Sequence, residues 1–179
     1  MATPRAPRIV SFFGWSNSGK TTLMVALIEE CTKRGIACAA AKCTRHSGNL
    51  EPEGKDSARY RLAGASPVAF IGTGAQGLTA LISPTPPVPD RAWLGSLFPG
   101  AELVLVEGLE VEDSLRILVD KPGEAAKKPM DSIDILISES PELRARAEAA
   151  GRKACAPGDP SGLFNLLEGL WRERGSTGT

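Results

Sequence analysis

The run Gly14-Trp15-Ser16-Asn17-Ser18-Gly19-Lys20-Thr21 fits the phosphate-binding pattern G-x-x-x-x-G-K-[ST]. Its surroundings constrain the fold more than its letters do. Arg8 to Phe13, just ahead of it, is β-branched and aromatic, as a buried strand requires. Behind it, Leu23, Leu27 and Cys31 recur at i, i+4 and i+8, as do Met24 and Ile28. One helix face is therefore apolar until Gly35 ends the helix. A strand that feeds a glycine-rich loop and then a helix N-terminus points consecutive N–H groups inward at the positive end of a helix dipole, where phosphate oxygens fit. Lys20 would reach the terminal phosphates, and Thr21 would put its hydroxyl on a magnesium ion.

The remaining segments alternate. Ile36 to Ala41 is wholly apolar and predicts a strand buried on both faces, followed by a polar loop over 43–54 at its C-terminal end. A short helix is expected over 55–62. Strand-like runs at 67–71 and 78–82, joined by the glycine-rich turn 72–77, predict an antiparallel hairpin, and the proline-rich stretch 84–89 predicts a rigid connector. A short helix follows over 91–98. Glu102-Leu-Val-Leu-Val-Glu107-Gly108 has the pattern of a buried central strand that delivers the Glu107 carboxylate to the C-terminal edge of a sheet, near the metal of the phosphate loop. Strands are expected over 115–119 and 132–137. A solvated, arginine-rich helix is expected over 141–150, an apolar-striped helix over 162–174 and a disordered tail over 175–179. The expected architecture is one domain over 1–174, an α/β fold of the P-loop NTPase type: a mostly parallel sheet with helices on both faces and one antiparallel hairpin.

Composition excludes several partners. In 179 residues, 21 basic and 21 acidic side chains cancel, which leaves no basic field for a nucleic-acid backbone. No apolar run approaches the length a membrane helix needs, and the N-terminus lacks a signal-peptide core, so no membrane association and a cytoplasmic location are expected. Four cysteines without a C-x-x-C pair indicate neither a zinc ribbon nor a disulfide framework. Cys43 and His46, the sole histidine, supply two ligands, fewer than a zinc site requires.

A phosphate loop, a metal-holding hydroxyl and nearby acids suit a nucleoside triphosphate with Mg²⁺. Three outcomes stay open on the residues alone: a GTP or ATP hydrolase, a kinase that moves the γ-phosphate to a small acceptor, or a nucleotide-binding adapter. A kinase lid would have to come from Arg59, Arg61 or the arginines of 144–152. Gly14 to Leu23, the loop Lys42-Cys-Thr-Arg-His46, the stretch Glu53-Gly-Lys-Asp-Ser57 with Arg61 and Ala63-Gly-Ala65, and Leu103-Val-Leu-Val-Glu-Gly-Leu109 together resemble the molybdopterin-guanine dinucleotide biosynthesis protein B family. The resemblance extends from Ile9 to about Leu170.

That resemblance implies a homodimer that binds GTP, hydrolyses it slowly with Mg²⁺ and assists a molybdenum cofactor guanylyltransferase joining GMP to molybdopterin, with apo-molybdoenzymes as further partners. It also implies that the hairpin contributes to a sheet shared between the two copies. Gly14, Asn17, Ser18, Gly19, Lys20, Thr21 and Thr22 match its phosphate site, and Asp56 and Glu107 match acids near the metal. Ser138 and Glu139 stand where the family's base-facing segment ends in Asp, and Glu can accept two N–H donors from guanine. Cys43 and Arg45 replace two histidines of the family's second-strand motif, and Glu110 replaces a basic residue, reversing a charge beside the site. A guanidinium at Arg45, on a loop folding over the γ-phosphate, would act as a cis arginine finger.

Overall fold

The computed structural model describes residues 7–43, 68–74, 77–83, 90–124 and 128–176, with the backbone alone for 68–74, 77–83 and Ser176. The helix expected over 55–62, with Asp56, and the loop carrying Arg45 and His46 lie outside the described residues. The sequence reads 1–174 as one domain; in the structure, contacts cluster into two compact units, Met1–Cys43 with Arg91–Thr179, and Thr44–Asp90.

In the first unit, β1 (Arg8–Phe13) leads through the glycine-rich loop into α1 (Lys20–Lys33), and β2 (Cys38–Lys42) follows. After the second unit come α2 (Arg91–Leu97), β5 (Leu103–Glu107), β6 (Leu115–Val119), β7 (Ile135–Ile137), α3 (Pro141–Ala149), β8 (Lys153–Cys155) and α4 (Pro160–Ser176). The strands form a six-stranded sheet in the order β2-β5-β1-β6-β7-β8, and every ladder is parallel. Strand residues alternate between two cores. Val10, Phe12, Leu105, Ile117 and Ile137 meet Leu23, Leu27 and Cys31 of α1 and Leu163 and Leu167 of α4. On the other face, Ile9, Val104 and Val106 pack with Leu94 of α2, and Leu118 and Leu136 pack with Ala147 of α3. This two-sided burial is why β5 reads as a continuous apolar run before Glu107 and β1 as one broken only by Ser11.

The link from β5 to β6 has no helix. It crosses β1 on the α2 face, and the buried Ser11 hydroxyl accepts from the Val111 N–H (3.2 Å) and pairs with Ser114 Oγ (2.8 Å). A serine in an otherwise apolar central strand is thus fully partnered.

Several expectations shift. β2 is an edge strand with its alanines partly exposed, not a strand buried on both faces, because β5 alone flanks it among the described residues. β7 starts at Ile135, because Met130–Ser132 closes a 3-10 turn in which the Ser132 N–H donates to Pro129 O (3.1 Å). β8, paired parallel with β7, has no counterpart among the segments read from the sequence. The last helix starts at Pro160 because Asp159 caps it, accepting from the Gly162 N–H (2.8 Å), and it continues to Ser176, past the expected end at Arg174.

The second unit contains the expected antiparallel hairpin, β3 (Val68–Gly74) with β4 (Gly77–Ser83). Its ladder runs from Val68↔Ser83 to Gly74↔Gly77. Much of the glycine-rich stretch read as turn is therefore strand.

Candidate phosphate-binding site

The loop between β1 and α1 leaves the sheet at its C-terminal edge, and three of its residues adopt positive φ: Gly14 at 145°, Asn17 at 60° and Gly19 at 89°. Gly14 is required twice over. Its φ disfavours any side chain, and a β-carbon there would lie 2.5 Å from Val119 O at the end of β6. Asn17 is the non-glycine residue type that best tolerates the left-handed region. Gly19 caps α1 without a side-chain hydrogen bond. Gly19, having no side chain, gives the first turn of α1 no cap of its own, an arrangement found where a helix N-terminus receives an anion.

Lys20 folds back over this loop. Its Nζ donates to Gly14 O (3.1 Å) and Trp15 O (2.6 Å) and lies 3.5 Å from Ser18 Oγ. The ammonium is thereby held over the loop that supplies the N–H groups. Thr21 and Thr22 are exposed in the first turn of α1.

Glu107 ends β5 in register with Phe12 of β1 on one side and Lys42 of β2 on the other. Its carboxylate accepts from the Thr21 hydroxyl (3.2 Å) and lies 3.9 Å from Lys42 Nζ. Glu107, expected from the sequence near a loop-bound metal, thus lies within hydrogen-bond distance of Thr21. The pairing of Lys42 with Glu107 follows from strand register, which one sequence does not reveal. Gly108, at φ 85°, lets the chain turn past the Cys43 carbonyl, which a β-carbon would strike. Cys43 extends the β2 ladder, its N–H donating to Glu107 O (2.8 Å), and burial pushes its thiol pKa up.

These residues fit Mg²⁺. A carboxylate and a hydroxyl oxygen in contact are hard ligands, and magnesium bound with phosphates uses only one or two carboxylates, the rest being water and phosphate oxygens. Among the described residues no cluster of three or more His, Cys, Asp or Glu could hold a metal without that help. Asp56, the other acid expected at the metal, and Arg45 lie outside the described residues.

Ser138 and Glu139 follow β7, two strands from β1. Ser138 is buried, and its hydroxyl donates to Asp120 Oδ2 (2.8 Å) and accepts from the Ser140 N–H (3.1 Å). Glu139 is exposed. Arg144 of α3 donates to the carbonyls of both, at 2.7 and 3.0 Å. The arginine-rich face of α3 is therefore not simply solvated, since Arg144 fastens the loop at the sheet edge. Asp120 is a residue beside this loop that the sequence does not single out, and Arg144, a candidate lid arginine in the sequence, holds the loop instead. Each acts through a partner on a neighbouring element, and no local pattern marks that.

Glu110 departs from its expected role. Rather than opposing the loop, it accepts from Lys128 and lies 3.5 Å from Arg116 Nη1, and the Lys128 hydrogen bond holds its pKa below the ordinary glutamate value. Its charge is met locally.

This fold and loop define a phosphate-loop α/β protein of the NTPase type. The chain belongs to the family described as "Molybdopterin guanine dinucleotide synthesis protein B", whose model matches residues 9–138. It is 34% identical over 128 residues to the "Molybdopterin-guanine dinucleotide biosynthesis adapter protein" of Haemophilus influenzae, covering 70% of this chain and 69% of that protein. Against the Escherichia coli adapter protein it is 33% identical over 129 residues, covering 70% and 71% of the two chains. The crystal structure of Bacillus subtilis MobB superimposes with a TM-score of 0.62 at 25% identity, over 90% of this chain and 96% of that one. No helix among the described residues is long and apolar enough to cross a membrane.

Proposed function

We propose that this chain is a GTP-binding adapter of molybdopterin-guanine dinucleotide synthesis, with weak Mg²⁺-dependent GTPase activity, that assists a guanylyltransferase attaching GMP to molybdopterin in the cytoplasm. The adapter role is supported by family membership and by the names of the relatives. The nucleotide is supported chiefly by one observation: an uncapped α1 N-terminus beneath a loop with three positive-φ residues, with Thr21 and Glu107 in contact beside it. Gly14 to Thr22 hold the phosphates, Lys20 and the backbone N–H groups meet their negative charge, and Thr21 and Glu107 hold the metal together with Asp56. Bound magnesium would neutralise phosphate oxygens. Ser138 and Glu139 face the base, and Arg45 is the cis cation. The active species is a homodimer that engages the transferase and then apo-molybdoenzymes.

A kinase reading is weaker, because two of its candidate lid arginines are occupied. Arg144 is fastened to the loop after β7, and Arg152 donates to Asp131 O (2.9 Å). Calorimetric titration of the full chain with GTP, ATP and molybdopterin, with and without Mg²⁺, tests the proposal. Magnesium-dependent GTP binding, lost in Lys20→Ala, is expected. If neither nucleotide binds with Mg²⁺ the reading fails, and pterin binding that GTP does not compete away would make the chain a pterin carrier instead.

A further inference from the structure

The opposite edge of the sheet carries a second concentration of charge. A cavity of about 700 Å³ lies where β1 and β6 begin, lined by Arg8, Arg91, Arg116, Arg174, Trp171 and the crossover loop 110–114. Most of these cations are already compensated. Arg8 pairs with Glu168 (3.2 Å) and stacks on the Trp171 ring (4.8 Å to its centroid). Arg116 lies 3.5 Å from Glu110 and 3.7 Å from Asp134, and Arg174 pairs with Asp134 at 2.8 Å.

Arg91 differs. Its one hydrogen bond runs from Nη2 to the Asp113 carbonyl at 3.4 Å, long and to a neutral acceptor, and it has no carboxylate partner among the described residues. Its Nε is buried without any partner. A guanidinium partly withdrawn from water with an orphaned N–H carries an uncompensated desolvation cost, which an oxyanion at the fork would relieve. Asp113 sits at φ 58°, in the left-handed region, and its carbonyl also lies 3.4 Å from Arg174 Nη1. The lining acids do not supply the missing charge. Glu110 is taken by Lys128 and Arg116, and Glu112 and Asp113 are exposed.

We propose that this cavity is a second anion site, binding the phosphate group of a small phosphorylated molecule with Arg91 as its anchoring cation. A guanidinium fork matches phosphate oxygens in pairs, and the volume, within the range of small-molecule pockets, leaves room for an organic body beside the phosphate. The site is separate from the phosphate loop and stands whether or not that loop binds GTP.

The test uses the full chain carrying Lys20→Ala, so that the loop does not compete, titrated with inorganic phosphate and with GMP at fixed ionic strength. Saturable binding of both is expected, with GMP at least as tight as phosphate. Adding Arg91→Gln should weaken both about tenfold or more, the effect of losing a charge-assisted contact. Adding Arg91→Lys should weaken them less, and Arg146→Gln, on the exposed face of α3, should leave them unchanged. Thermal melting confirms that each variant is folded. Binding that Arg91→Gln does not alter, binding of phosphate but not GMP, or no saturable binding up to on the order of 10 mM overturns the proposal.

Discussion

The loop after β1 and the loop after β7 use the same device, a strand ending at the sheet edge and a helix beginning just beyond it, and reach opposite results. At α3 the helix start is internally satisfied: Ser140 accepts from the Leu143 N–H (3.1 Å), Ser138 is bound to Asp120, and Arg144 covers the carbonyls. At α1 the N-cap Gly19 supplies no side-chain cap, and Gly14, Asn17 and Gly19 hold the loop at positive φ. An anion can be received only where the protein has not supplied its own acceptor. The first loop thus lacks a side-chain cap and the second is closed by its own side chains, the contrast that the proposed phosphate and base contacts call for.

The sharpest way to break this contrast is Gly14→Ala. The left-handed-side φ and the approach to Val119 O act together, so the variant should lose roughly 3 kcal/mol of stability and its nucleotide affinity as well. Denaturant unfolding measures the first and calorimetry the second. Full stability with GTP affinity intact would show that the loop tolerates rearrangement. Lys20→Ala comes next: without the ammonium above the loop, GTP affinity should fall roughly a hundredfold, about 2.7 kcal/mol, with little change in melting temperature. Glu107→Gln keeps an oxygen for Thr21 but removes the charge. The Mg²⁺ concentration for half-maximal GTP binding should rise about tenfold, and an unchanged value would move the metal off Glu107.

The two loops also differ in how well the sequence exposes them. Gly14 to Thr21 is legible because its constraints are local, each residue type being set by a φ value or by the helix start. Glu107 is legible because four apolar residues before it mark a buried parallel strand. The loop after β7 is not: Ser138 is held by Asp120, eighteen positions earlier in sequence, and the pair meets only because β6 and β7 are neighbours. Strand β8 escapes because three residues between Gly151 and Pro157 show no period. β2 reads as buried since its alanines are apolar, yet small side chains at an edge leave it half open. Glu110 reads as a charge beside the phosphates, and only the path of the crossover loop brings it to Arg116 and Lys128.

Ser140→Ala sharpens the rigid side of the comparison. Removing the α3 cap should cost about 1 kcal/mol in denaturant unfolding while GTP affinity stays within twofold. A large loss of affinity would instead make this loop part of the phosphate site.

The smallest expected effect concerns Glu110, whose partner Lys128 stacks over Phe13 (4.5 Å to the ring centroid) just before the phosphate loop. Because its folded pKa is depressed, chiefly by the Lys128 hydrogen bond, the pair stabilises the fold above the unfolded glutamate pKa of about 4.3 and loses that contribution as pH falls through the lower folded value. The carboxylate is partly exposed, so the contribution is about 0.5 kcal/mol. Melting curves of the parent chain and Glu110→Gln should differ slightly at pH 7 and converge below about pH 4, while the two chains bind GTP alike. A GTP affinity that rises in Glu110→Gln would mean that the carboxylate opposes the phosphates across Phe13, and that the crossover loop, although locally neutralised, belongs to the same electrostatic field as the loop after β1.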